Sequence, residues 1–293
     1  MTISKWKIAV ALIGVLMAGF FGQRYYYEQV EKKNVERFLQ ERYGQEFVAQ
    51  SCEYFQSEGM VGRKGIRTFV FSKEQPPIKV AVARFLDKSR DDLQSYFELN
   101  ASKDGENYGF YFNQVWSREV DAKLQGVTES VFQRTIFFVS GINAPYPLLS
   151  QLQGQTPTYF GTLKNRTEVF SDTNFNFSQS FWLLSFYDLN EGNKPMEAER
   201  IFQFMSELRK LNINKYMLYI HYYTPTYMTD AKVSIKQVGG LYSFIEADSA
   251  SVVPYGFFGS GKNWKYIMNL SRRDIDKIKS PSDIIPFFKP KIR

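Results

Sequence analysis

The longest apolar run in the chain, Ile8 to Phe21 (IAVALIGVLMAGFF), carries no charged residue, and its flanks decide how it reads. Lys5 and Lys7 precede it as the basic region of an export signal would, but a cleavage site needs small side chains. The run ends Ala18-Gly19-Phe20-Phe21-Gly22, with phenylalanines in those positions, so retention as an anchor is expected over removal as a signal or burial as a core helix. From Trp6 to Gly22 a helix rising about 1.5 Å per residue covers roughly 25 Å, which local thinning can match to a hydrocarbon layer of about 30 Å. Trp6 and the triplet Tyr25-Tyr26-Tyr27 fall where an aromatic belt would sit. The amino terminus, Lys5 and Lys7 outweigh Arg24, although Lys32 and Lys33 reduce the bias. Residues 1–24 are thus expected to be a transmembrane signal anchor that meets the membrane through Ile8-Phe21, N-terminus cytoplasmic and body extracytoplasmic.

After the anchor the period changes. Arg24 to Arg42 places Tyr27, Val30, Val35, Phe38 and Leu39 on one side of a helix, and Gly44 supplies a stop. Partial period-two alternation then marks strands at Glu46 to Phe55, Ile66 to Ser72 and Ile78 to Phe85, separated by Gly59, Gly62 and Gly65 and by Pro76-Pro77. A helix near Tyr111 to Leu124 presents Phe112, Val115, Trp116, Val120 and Leu124, with Gly126 expected to close it. Thr135 to Ile142 (TIFFVSGI) reads as a strand that opens a second unit, and Thr158 to Phe170 as a strand or hairpin. Ser180 to Tyr187, Pro195 to Leu211 and Lys215 to Tyr223 then read as strand, crossover helix and strand, which implies a parallel pair with a right-handed connection. Lys232 to Val238 and Leu241 to Ala247 suggest a hairpin about Gly239-Gly240. Trp264 to Leu270 reads as a last strand and Ser271 to Lys279 as a short helix.

The pattern predicts an α+β chain: the anchor, a unit at 25–133 built from a stalk helix and an antiparallel meander, and a unit at 134–293 with a mixed sheet and a strand-helix-strand crossover. The helix end Arg42-Tyr43-Gly44-Gln45-Glu46-Phe47, with strands behind it, resembles single-span extracytoplasmic proteins of Gram-positive bacteria carrying cystatin-like or PepSY-like α+β units. That resemblance covers about the first third of the chain and implies architecture and location, without a site.

Composition narrows the classes. About 270 of the 293 residues follow the anchor, ample for a hydrophobic core, and 44% hydrophobic with 17% aromatic residues argues against disorder. One cysteine, Cys52, excludes an intrachain disulfide, and its place in the alternation Val48, Gln50, Cys52, Tyr54 reads as a strand position. A net charge of +7 would draw the body toward an anionic surface or wall polymer. No nucleic-acid motif accompanies the charge, so nucleic acid is not expected as a partner.

Candidate chemistry is sparse. Gly256-Phe257-Phe258-Gly259-Ser260-Gly261-Lys262-Asn263 matches the spacing of a phosphate loop but offers Asn where the magnesium-binding hydroxyl belongs, ahead of a strand-like segment; a nucleotide site is not expected. His221 is the sole histidine, which removes mechanisms that need two. It could serve only as base to a serine such as Ser140, Ser180 or Ser185. Asp188, Glu191, Glu197 and Glu199 gather about one strand-to-helix connection and would support a carboxylate-pair envelope hydrolase, although acids at a helix start are expected for capping alone. No catalytic set, metal site or cofactor is predicted. The aromatic residues leave room for a binding surface, with Tyr108, Phe110 and Trp116 in one cluster and Tyr219, His221 and Tyr223 in another. The expectation is a membrane-tethered, non-enzymatic protein that binds an envelope protein or an anionic wall polymer.

Overall fold

The computed structural model describes residues 5–57, 62–103, 106–144, 159–162, 178–226, 234–238, 241–245 and 264–290, with side chains of the first helix described from Met17 onward. The fold is α+β, built on a four-stranded antiparallel sheet and a five-stranded mixed sheet. Contacts divide it into two compact units, residues 1–101 with 108–110, and 102–107 with 111–293.

The first unit begins with α1 (Lys5–Tyr43), which runs unbroken for 39 residues. Its C-terminal portion buries Val35, Phe38, Leu39 and Tyr43, one stripe at helical spacing, each side chain adding about 1.5–3 kcal/mol of transfer free energy. Gly44 ends the helix at φ +69°, a left-handed conformation that glycine adopts without penalty. The chain reverses there into β1 (Phe47–Gln56), β2 (Lys64–Ser72), β3 (Lys79–Phe85) and β4 (Tyr96–Leu99), an antiparallel meander in sequence order. On one face of this sheet Thr68, Val82 and Glu98 lie in register, and α1 packs there, with Phe38 against Tyr96 at 5.9 Å between ring centroids. On the other face the small Ala81 and Ala83 leave room for Tyr108, whose ring sits 4.6 Å from that of Phe69. Two short strands, β5 (Ala101–Lys103) and β6 (Glu106–Tyr108), pair with one another where the chain passes between the units.

The second unit starts with α2 (Tyr111–Phe132). The division therefore falls between Phe110 and Tyr111 rather than near residue 134, because Trp116, Val120, Leu124, Val131 and Phe132 pack into this unit's core. Gly126 does not close α2. The helix passes through it and ends at Phe132, with Gln133 at φ 53°, since the buried Thr128, Val131 and Phe132 outweigh the modest cost of an interior glycine. The sheet order is β13 (Phe288–Pro290), β12 (Trp264–Leu270), β9 (Met217–Tyr223), β8 (Ser178–Phe186), β7 (Ile136–Asn143). β8 and β9 are parallel and joined through α4 (Lys194–Lys210), as the alternation in the sequence leads one to expect; the other pairings are antiparallel. The hairpin β10 (Ser234–Val238) with β11 (Leu241–Ile245) and the short helix α5 (Arg272–Lys277) also stand where expected. Tyr159–Thr162 forms one helical turn, α3, in place of the expected strand; residues 163–170 lie outside the described set.

Among the described strands β7 stands at the edge of the sheet, and α2 covers its open side. The side chains of Asn113, Ser117 and Asp121 accept the backbone N–H groups of Ala144, Ile142 and Ser140 at 3.0, 3.2 and 2.7 Å. Four residues of helix advance about 6.0 Å and two residues of strand about 6.6 Å, so a helical i, i+4 polar stripe can follow every second amide of a strand. An edge that could otherwise pair with another chain is thereby occupied.

Among the described residues no helix is long and apolar enough to cross a membrane. α1 runs through Ile8-Phe21 as helix, but the membrane span expected there is not supported; most of that run's side chains lie outside the described residues. Met17, Phe20, Phe21, Tyr25, Tyr26 and Tyr27 are described, and all six are exposed.

Candidate functional site: a basic and aromatic cavity beside the first helix

The reversal at Gly44 sends β1 back along α1, so that Cys52 reaches Glu28, its Sγ lying 4.0 Å from the Glu28 carbonyl oxygen. The turn after β3 arrives at the same end of the unit. Between them lies a cavity of about 370 Å³, within the range of ligand pockets, lined by Arg24, Tyr27, Glu28 and Glu31 of α1, by Cys52, Glu53 and Tyr54 of β1, by Ile66 and Arg84, and by Leu86, Lys88, Arg90 and Asp91 of the turn.

A buried ion pair forms its floor. Arg84 Nη2 donates to Glu31 Oε2 at 2.9 Å and Nε to Oε1 at 3.2 Å, a two-point contact between side chains that are 6% and 3% exposed. The remaining Nη1 donates to the carbonyls of Lys88 and Phe85 at 2.8 and 3.3 Å, which ties the turn to the floor. An arginine in the otherwise apolar strand Val80-Ala81-Val82-Ala83 requires such a partner, because removing one member of a buried pair costs about 3–5 kcal/mol.

The rim is built around Arg90. Its carbonyl accepts from Asn34 Nδ2 at 3.1 Å and from the Tyr96 hydroxyl at 3.0 Å, so the backbone is held by α1 and β4 together. Its guanidinium carbon stands 5.2 Å from the centre of the Tyr27 ring, within cation–π range. The Arg90 Nε–H is shielded from solvent and has no hydrogen-bond partner among the described residues. Arg24 and Lys88 are exposed beside it. The acids of the cavity are largely engaged: Glu28 by Lys32 at 2.9 Å, Glu53 by Arg67 at 3.1 Å and Glu31 by Arg84. Among the described lining residues this leaves Asp91 as the one carboxylate beside Arg24, Lys88 and Arg90. Cys52 is half-buried with Sγ 3.2 Å from Thr68 Oγ1, and burial pushes its thiol up to about 11, so it is no thiolate nucleophile at neutral pH.

The chemistry expected from the sequence is distributed differently. Tyr108 is 4% exposed and Trp116 is fully buried, stacked on Phe112 at 5.7 Å, so both are core residues and cannot present the binding surface assigned to them. Phe110 is partly buried in the first unit. Tyr219, His221 and Tyr223 share one face of β9, where Tyr219 stacks on Trp182 at 5.6 Å and Tyr223 on Phe186 at 5.6 Å; His221 and Tyr223 are buried and Tyr219 partly so. Register separates His221 from every proposed serine. His221 pairs with Leu184, which puts Ser185 and Ser140 on the opposite face of the sheet, and Ser180 pairs with Met217, about 13 Å along the strand.

The acidic residues of the crossover likewise do not converge. Asp188 pairs with Lys265 at 2.5 Å, Glu191 with Lys194 at 2.6 Å, and Glu197 is fully buried between Arg134 and Tyr222, whose hydroxyl donates to it at 3.0 Å. That last group is a structural anchor: Arg134 also donates to the Ser185 hydroxyl at 3.0 Å and lies 4.2 Å from the centre of the Tyr187 ring. Among the described residues no group of three or more His, Cys, Asp or Glu side chains could hold a metal ion. The phosphate-loop-like stretch from Gly256 to Asn263 lies outside the described residues.

The cavity residues were not singled out by the sequence because Arg84 and Glu31 are 53 positions apart and the pocket exists only once a helix and a meander are folded together. The one available signal was a charged residue inside an apolar strand.

No protein-family description matches the chain, and no curated protein matches it. Among solved structures, a DUF5037 family protein from Ruminococcus gnavus ATCC 29149 aligns over 69% of this chain and 78% of its own at 16% identity and a TM-score of 0.36. It is a distant neighbour, and at that likeness it says nothing of the cystatin-like or PepSY-like resemblance expected from the sequence.

Proposed function

We propose that the chain is a non-enzymatic, single-span protein tethered to the cell membrane by Ile8-Phe21, with its body outside the cytoplasm, where it binds an envelope protein or an anionic polymer. The observation that carries this reading is the division of α1. Its C-terminal portion is built into the first unit through Val35, Phe38, Leu39 and Tyr43, whereas Met17, Phe20 and Phe21 continue the same helix with more than half of each side chain exposed. Large apolar side chains standing clear of their own fold call for another apolar phase, and the tyrosine triplet after them suits an interface. The charge of +7 supports attraction to an anionic envelope.

Cell fractionation tests the reading. The full-length chain is expected to stay in the membrane pellet through alkaline carbonate extraction and to be digested by protease added to intact spheroplasts. Recovery of the intact chain in the soluble fraction, or its protection from external protease, would overturn it.

A further inference from the structure

We infer that the cavity of the first unit binds the phosphate of an anionic phospholipid headgroup, at the level where α1 leaves the bilayer. This deepens the proposed tether and rests on it for the source of the ligand. Phe21 is the last residue of the apolar run, and at about 1.5 Å per residue Arg24, Tyr27 and Glu28 stand about 4.5, 9 and 10.5 Å beyond it. The headgroup zone is about 5–8 Å deep on each side of the hydrocarbon, so Arg24 lies within it and Tyr27 and Glu28 stand just outside it. They are also residues that line the cavity. The opening therefore meets phosphates without any movement of the fold.

The chemistry of the lining suits that ligand. With Glu28, Glu31 and Glu53 engaged by Lys32, Arg84 and Arg67, Asp91 is the one other acid that lines the cavity with Arg24, Lys88 and Arg90 among the described residues. Arg90 lines the cavity with a guanidinium whose planar donor fork suits phosphate oxygens through charge-assisted bonds. Its position over the Tyr27 ring and the two bonds on its carbonyl hold it in place before a ligand arrives. Tyr54 and Leu86, exposed by 66% and 45% at the same cavity, offer apolar contact to the glycerol and upper acyl region. A purely soluble anion would have no use for those two side chains.

The test uses the full chain purified in a neutral detergent, with bound lipid counted by native mass spectrometry after addition of phosphatidylglycerol or phosphatidylcholine. Wild type is expected to retain phosphatidylglycerol in preference to phosphatidylcholine. Arg24→Ala with Lys88→Ala, both at exposed positions where folding is not at risk, is expected to lower that retention by about tenfold or more, and adding Arg90→Ala to abolish it. A control of equal charge to the triple variant, Lys33→Ala, Lys64→Ala, Lys73→Ala, is expected to bind as wild type does. Equal retention of the two lipids, an unchanged double variant, or a control that loses as much as the double variant would each overturn the proposal. Competition by inorganic phosphate at the concentration of lipid would also overturn it, by identifying a soluble anion as the ligand. Because binding is read in detergent, it is independent of the fractionation result: a chain that binds the lipid but extracts as soluble sinks the tether alone, and one that is embedded but shows no preference sinks the cavity alone.

Discussion

At the scale of single residues, burial gives one carboxyl group an unusual value. Asp121 of α2 is partly buried and desolvation raises its pKa to about 7, although the Ser140 N–H it accepts at 2.7 Å works against the rise. The ordinary value, which the unfolded chain retains, is about 4. Between those two values the folded protein holds a proton that the unfolded chain has released, so the contribution of Asp121 to stability is complete below about pH 4 and is lost as pH climbs to about 7. Urea unfolding of wild type and of Asp121→Asn across pH 4.5 to 7.5 measures this. The asparagine keeps an acceptor for Ser140, and its stability relative to wild type is expected to increase with pH by an amount on the order of 2–4 kcal/mol across the window. Parallel pH profiles for the two proteins would show that the carboxyl is solvated.

Elements are held by what their side chains meet across the fold, and two glycines make opposite tests of that. A Cβ at Gly126, in the interior of α2, would touch nothing within 4 Å, and alanine there removes backbone freedom from the unfolded chain at no steric cost. Gly126→Ala is expected to stabilise by about 0.5–1 kcal/mol. A Cβ at Gly141 on β7 would lie 2.6 Å from Cζ3 of Trp182, so Gly141→Ala must displace the indole and is expected to destabilise by about 1–3 kcal/mol. Thermal melts of both variants decide the matter, and a stabilised Gly141→Ala would mean that the Trp182 ring moves freely. The same strand shows why helix and sheet here depend on one another: Asn113, Ser117 and Asp121 are ordinary helix-surface residues until β7 supplies the amides they accept.

For the whole molecule, the question is whether the N-terminal segment serves the fold or only its location. Met17, Phe20 and Phe21 are exposed, while burial in α1 begins with Glu31 and continues through Asn34 and Val35. Deleting residues 2–22 is therefore expected to leave the melting temperature of the folded body unchanged within about 2 °C, while membrane association is lost. Scanning calorimetry of the shortened chain, compared with the full chain in detergent, reads the first, and fractionation reads the second. A large drop in melting temperature would show that the apolar run is part of a core.

Hydrophobic periodicity along the chain was enough to place α1, the meander, the crossover β8–α4–β9 and the hairpin after it, because each depends on local alternation and on breakers such as Gly44 and Pro195. It was enough, too, to exclude mechanisms needing a second histidine or cysteine. It could not place Tyr108 and Trp116, since an aromatic side chain that fills a core and one that greets a ligand read alike until burial is known. Nor could it end α2 correctly, because the free energy that carries the helix past Gly126 comes from packing of Val131 and Phe132 against other elements. The cavity belongs wholly to tertiary structure. Glu31 meets Arg84 and Tyr27 meets Arg90 only after the turn at Gly44 lays strands along the helix, and charge pairing across such separations leaves no periodic trace in a sequence.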